Sequence, residues 1–145
     1  MSFRVAGPRF VLVLFSLALG AAGCSSSGPR LVKVSGTVTR GGTPVNRLFL
    51  NFYPEHGRPS WGVTDAEGHY TLSYERAGDG AISGTHRVWV QLRPASPSEE
   101  ADLHNGVLKL HPEIKEVLKK YGHSETTPLQ VEVQASNPVI DLTLD

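Results

Sequence analysis

Gly62-Val63-Thr64-Asp65-Ala66-Glu67-Gly68-His69-Tyr70-Thr71-Leu72 is the stretch whose reading decides the fold. Trp61 and Val63 alternate with polar neighbours, and the alternation resumes at Tyr70, Leu72 and Tyr74. A side-chain period of two on both sides of Asp65-Ala66-Glu67-Gly68 predicts two short antiparallel strands joined by a tight turn. Asp65 suits the turn because its carboxylate can accept bonds from nearby backbone N–H groups, and Gly68 suits it because glycine takes positive φ without steric cost.

Outward from that turn the same rhythm repeats. Val32, Val34 and Val38 form one apolar row, with Gly36 in the line as the mark of a bulge or a close backbone contact. Arg40-Gly41-Gly42-Thr43-Pro44 reads as a turn, and Leu48, Leu50 and Phe52 as the inward row of a second strand ended by Pro54. The glycine-rich residues 77–84 read as a connection between sheets; no Gly-Lys-Ser/Thr closes them, so they are no phosphate loop. His86, Val88, Val90 and Leu92 line one face of a further strand, and Arg87, Trp89, Gln91 and Arg93 the other. The last pair, Leu129-Val131-Val133 and Ile140-Leu142-Leu144, is expected to turn at residues 135–138.

Residues 94–127 interrupt the β pattern. Residues 94–100 read as a polar loop. From Pro112 the period lengthens: Ile114, Val117, Leu118 and Tyr121 recur at helical spacing, with Glu113 at the start, Lys119 and Lys120 near the end, and Gly122 as the stop. The expectation is an all-β, two-sheet sandwich of about seven strands with one short helical insertion, whose apolar row packs on the face that carries Trp89.

The first residues belong to a different physical class. Arg4 and Arg9 precede an almost unbroken apolar run over residues 10–19, and Gly20-Ala21-Ala22-Gly23-Cys24 follows. About ten apolar residues are too few for a permanent span; a basic start, a short apolar core and small residues mark an export signal. Cys24 is the only cysteine, so no internal disulfide forms. Ala21-Ala22-Gly23-Cys24 resembles the bacterial lipobox, with Ala21 where Leu is usual. That resemblance implies removal of residues 1–23 and lipidation of Cys24. Residues 24–29 then form a flexible tether, and Ser25 after the cysteine implies sorting to the outer membrane. The chain carries 14 basic and 14 acidic residues; losing Arg4 and Arg9 leaves 12 basic against 14 acidic, no basis for holding nucleic acid by counterion release.

Val34-Ser-Gly-Thr-Val38, Gly42-Thr-Pro44, Leu50-Asn-Phe-Tyr-Pro54, Thr64-Asp65, Gly68, Tyr70, Leu72 and Gly84-x-x-x-Val88 resemble the carboxypeptidase regulatory-like domain. Together with the lipobox and the tail elements Lys120-Tyr121, Thr127-Pro-Leu129, Val133 and Leu142, they resemble the small lipoproteins abundant in planctomycetes. The resemblance implies a transthyretin-like (prealbumin-like) sandwich over residues 30–145, and no catalytic residues.

The chemistry-bearing residues fit that picture. The six histidines, at 56, 69, 86, 104, 111 and 123, match no familiar zinc spacing, and no cofactor is expected. Asp65 and Asp79 lack the alternating acidic loop that calcium requires and read as turn residues. The chain ends Asp141-Leu-Thr-Leu-Asp145, not in the Tyr-Arg-Gly-Ser motif of the transthyretin-like hydroxyisourate hydrolases; it has no His-x-His pair of the intradiol dioxygenases, and no Gly-x-Ser-x-Gly elbow. Tyr53, Trp61 and Trp89 remain as a binding surface, since aromatic rings on a sheet face stack against sugars or partner side chains; core packing is the plainer role for them. The expected function is a non-catalytic, lipid-anchored binding or structural module whose partners are the membrane and envelope proteins or polysaccharide. A periplasmic carrier of small ligands or carbohydrate and a transthyretin-like hydrolase are the alternatives.

Overall fold

The computed structural model describes Ser2, residues 29–75 and residues 78–145. The expected signal segment and Cys24 lie outside the described residues. Among those described, no helix is long and apolar enough to cross a membrane.

Alternation along the chain becomes two stacked sheets. The larger contains β4 (Leu48–Pro54), β5 (Ser60–Val63), β7 (Ser73–Tyr74), β8 (Gly78–Asp79), β10 (Gly84–Leu92) and β11 (Gln130–Val133), in the order β11-β10-β4-β5-β7-β8, every pair antiparallel. The smaller is built on β2 (Ser35–Arg40). Its partners are β3 (Thr43–Pro44), β6 (His69–Thr71) and, in parallel, β12 (Leu142–Leu144). β1 (Leu31–Val32) and β9 (Ala81–Ile82) form a separate two-stranded ribbon. The inner faces bury Leu48, Leu50, Phe52, Val88 and Val90 of the larger sheet together with Val34, Val38, Leu142 and Leu144. Each such side chain contributes about 1.5–3 kcal/mol relative to leaving it in water. The protein is therefore all-β and sandwich-like, with α1 (Pro97–His104) and α2 (Pro112–Tyr121) inserted between β10 and β11.

The architecture corrects four expectations. The strands number twelve among the described residues, because single apolar rows break where the chain changes partner. Val32 pairs with Ala81, whereas Ser35 pairs with Thr71, so the first row is two strands. The strand after the Asp65 turn is divided in the same way: residues 69–71 join β2 in one sheet and Ser73 returns to Trp61 in the other. The last two rows do not pair with each other; β11 extends the larger sheet and β12 the smaller.

The other two corrections concern the insertion, which holds two helices. Ser96 caps α1, its Oγ accepting from Glu99 N at 3.2 Å, with Pro97 in the first turn. The Glu99 carboxylate accepts from Ala95 N at 2.5 Å and from Arg47 Nη2 at 2.6 Å, which ties the helix to the approach to β4. These bonds, the Arg47 one foremost, hold that carboxyl below its ordinary pKa. α2 does not lie on the Trp89 face. Val117 and Tyr121 enter the common core, and the helix packs against β10. It is fastened to the smaller sheet as well: Arg40 Nη1 donates to Glu113 O at 2.6 Å, and Tyr121 Oη donates to the Asp145 carboxylate. Placed so, α2 closes the open edge between β10 and β12. Gly122 ends it with φ −82°, not in a left-handed cap.

At the Asp65 turn, Oδ1 accepts from Glu67 N at 3.1 Å and His69 N at 2.8 Å, and Gly68 takes φ +77°. A Cβ on Gly68 would stand 2.6 Å from Val38 O. Gly68→Val is expected to destabilise the domain by at least roughly 1–3 kcal/mol, from strain at positive φ. Urea unfolding checks this; a curve superimposable on the parent's would contradict it.

Candidate binding face

The outer face of the larger sheet follows from strand parity. Because Leu48, Leu50 and Phe52 point inward, Phe49, Asn51 and Tyr53 point outward; because Val88 and Val90 point inward, Arg87, Trp89 and Gln91 point outward. Register then sets the neighbours. Trp89 lies opposite Asn51, and Asn51 lies opposite Trp61, on three adjacent strands. Tyr53 sits two residues along from Asn51 and opposite Arg87. The structure therefore brings Tyr53, Trp61 and Trp89 onto one surface, about 10 Å across from the first tryptophan strand to the second.

The face is open at two of its three rings. Tyr53 is 52% exposed and Trp61 43%, while Trp89 is half-buried. Phe49, diagonal to Trp61, stacks on it with ring centroids 5.7 Å apart and planes 9° from parallel. That contact fixes the indole in one orientation. Two N–H donors on this face, Asn51 Nδ2 and Trp89 Nε1, are covered and have no hydrogen-bond partner among the described residues.

The insertion frames the face. A cleft of about 590 Å³ runs between Phe49 and Gln91 on the sheet and Leu103, Leu118 and His123 on the insertion. A second depression, about 650 Å³, joins Tyr53 and Trp89 to Arg87, Glu55, Ser124 and Glu125. Residues 123–129 reach this position because they continue the pairing beyond β11: Leu129 O accepts from Val88 N at 2.9 Å, and Thr127 Oγ1 donates to Val88 O at 2.8 Å.

Asp65 and Gly68 stand apart from this face, in the turn described above. The histidines are scattered. His86 is wholly buried beside Phe52, with Nε2 2.7 Å from Ile82 O; a carbonyl only accepts, so this nitrogen carries the proton. His69 faces Asp65 at 3.8 Å and His111 faces Glu113 at 3.8 Å, both at the surface. Among the described residues no three His, Cys, Asp or Glu side chains converge as a metal-binding group.

Sequence reasoning missed Phe49 and Asn51 as members of the face. Their signal was parity: both lie out of phase with the Leu48-Leu50-Phe52 row. No family model matches the chain, and neither a curated protein nor a solved structure matches it.

Proposed function

We propose that this protein is a non-catalytic, lipid-anchored envelope protein, held at the outer membrane through Cys24, whose transthyretin-like sandwich presents the Tyr53-Trp61-Trp89 face to a partner. The observation that carries the reading is the gathering of Tyr53, Trp61 and Trp89 on one face of three adjacent strands, with the two tryptophans in register across Asn51 and the Tyr53 and Trp61 rings exposed. A sheet face with no partner normally carries polar side chains outward, and exposed aromatic clusters rimmed by polar groups mark interaction sites. The lipobox-like Ala21-Ala22-Gly23-Cys24 supports the anchor. Several acyl chains, each contributing about 0.8 kcal/mol per buried methylene, anchor stably.

The test has two arms. Cys24→Ser is expected to release the protein from the membrane fraction or to leave an uncleaved precursor; wild-type fractionation and migration would contradict the anchor. Tyr53→Ala with Trp61→Ala is expected to abolish recovery of envelope material in crosslinking pull-downs. Both side chains are half-exposed, so melting should stay within about 1 kcal/mol of the parent. Undiminished recovery would contradict the binding face. The cleft beneath the insertion favours a second reading, a small-ligand carrier. Replacing Leu103 by Trp would then block uptake without altering envelope recovery.

A further inference from the structure

We infer that the partner of this face is a glycan: a neutral chain of hexopyranose units lying across Trp61, Asn51 and Trp89. The inference rests on the binding-face reading above and names its ligand. A pyranose ring has an apolar C–H face and a hydroxyl-bearing edge. The surface offers the complement of both. Trp61 is braced by Phe49 yet 43% exposed, and Tyr53 is exposed on the strand that carries Phe49. Between and beside the rings stand the amides of Asn51 and Gln91.

The donors set a requirement on the partner, which must bring acceptor oxygens. Four covered polar atoms lack hydrogen-bond partners among the described residues, and two of them, Asn51 Nδ2 and Trp89 Nε1, belong to this face. A partner without acceptors would leave both donors unpaired, whereas the hydroxyl oxygens of a glycan accept from them once the two side chains turn out of their covered positions. Charge points the same way. Beside Tyr53 the single Arg87 guanidinium shares its depression with two carboxylates, Glu55 and Glu125, so the rim carries no excess of positive charge to hold an anion. A neutral ligand fits that balance better than an acidic one.

The full chain, extracted in a zwitterionic detergent without sugar headgroups, is titrated with cellohexaose, maltohexaose and the N-acetylglucosamine hexamer while tryptophan emission is followed. At least one is expected to give a saturable change. Trp61→Ala should raise its Kd at least about tenfold, as truncation of a stacked anchor does, with Trp61→Phe retaining most of the affinity. In parallel, envelope material is treated with periodate, which cleaves vicinal diols, or with protease, before pull-down. Loss of Trp61-dependent recovery after periodate supports the inference even where none of the three oligomers binds. Recovery that survives periodate and is lost to protease overturns it, and leaves the binding face standing with a protein partner. Recovery unaffected by Trp61→Ala overturns the face itself, and a saturable titration unaffected by Trp61→Ala overturns the assignment of the glycan to it.

Discussion

Gly36→Ala is expected to destabilise the domain by about 3–5 kcal/mol, a large share of the roughly 5–15 kcal/mol that holds a domain of this kind together. Gly36 lies in β2, between β6 and the segment that leads into β12. A Cβ there would stand 1.9 Å from Ile140 O and 2.6 Å from its carbonyl carbon, so even a methyl group displaces backbone. That carbonyl is also the acceptor for Tyr70 Oη at 2.5 Å, and Ile140 N donates to Ser35 O at 2.8 Å. Tyr70 is buried, and burial first, then the Asp141 charge, raises its hydroxyl pKa, so it stays a donor across the accessible pH range. Moving Ile140 orphans that hydroxyl as well as straining the strand. Chemical denaturation measures the loss; a change under about 1 kcal/mol would mean that β12 is not seated over Gly36.

Tyr121→Ala is expected to cost about 3–5 kcal/mol, the range for emptying a buried aromatic site. Tyr121 is 3% exposed and sits where α2 closes the sandwich edge. Isolated helices of ten residues are marginal in water, so packing of this face is what keeps α2 formed. Ile114 and Leu118 are only partly buried, and truncating either should cost less than truncating Tyr121. Equal losses at the three positions would contradict the edge-closing placement. The clamp also carries a pH signature. Lys120 Nζ lies 2.8 Å from Asp145 Oδ1, and this contact first, with the Tyr121 hydroxyl second, lowers the Asp145 carboxyl from 3.8 to about 2. A depressed carboxyl contributes stability that is fully present above its unfolded value and is lost as pH falls through the folded one. Melting temperature should therefore decline more steeply between about pH 4 and pH 2 in the parent than in Asp145→Asn.

Much of the fold was legible because burial writes itself as periodicity. The Leu48-Leu50-Phe52 and Val88-Val90 rows, and the Val117-Tyr121 spacing of α2, each reported a buried face. What periodicity does not record is which strand lies beside which. Thr71 and Ser73 share one rhythm but belong to different sheets, and β10 reaches β4 across a long separation in sequence. α1 escaped because it buries nothing and so has no apolar row. Its only sequence signal was Ser96-x-x-Glu99 with Pro97, a cap followed by a helix-starting proline. The face was half legible. Parity placed Trp89 outward, but its meeting with Trp61 depends on β4 lying between their strands, with Asn51 as the residue they share.

The chain has two tryptophans, and both lie on the proposed face. Their indole N–H resonances, assigned by single Trp→Phe variants, report on it directly. Titrating the full chain with solubilised envelope polysaccharide should shift both indole signals while the amides of Val34, Val38 and Leu142 in the core stay in place. Saturable binding of the polysaccharide with both indole signals unmoved would contradict the account.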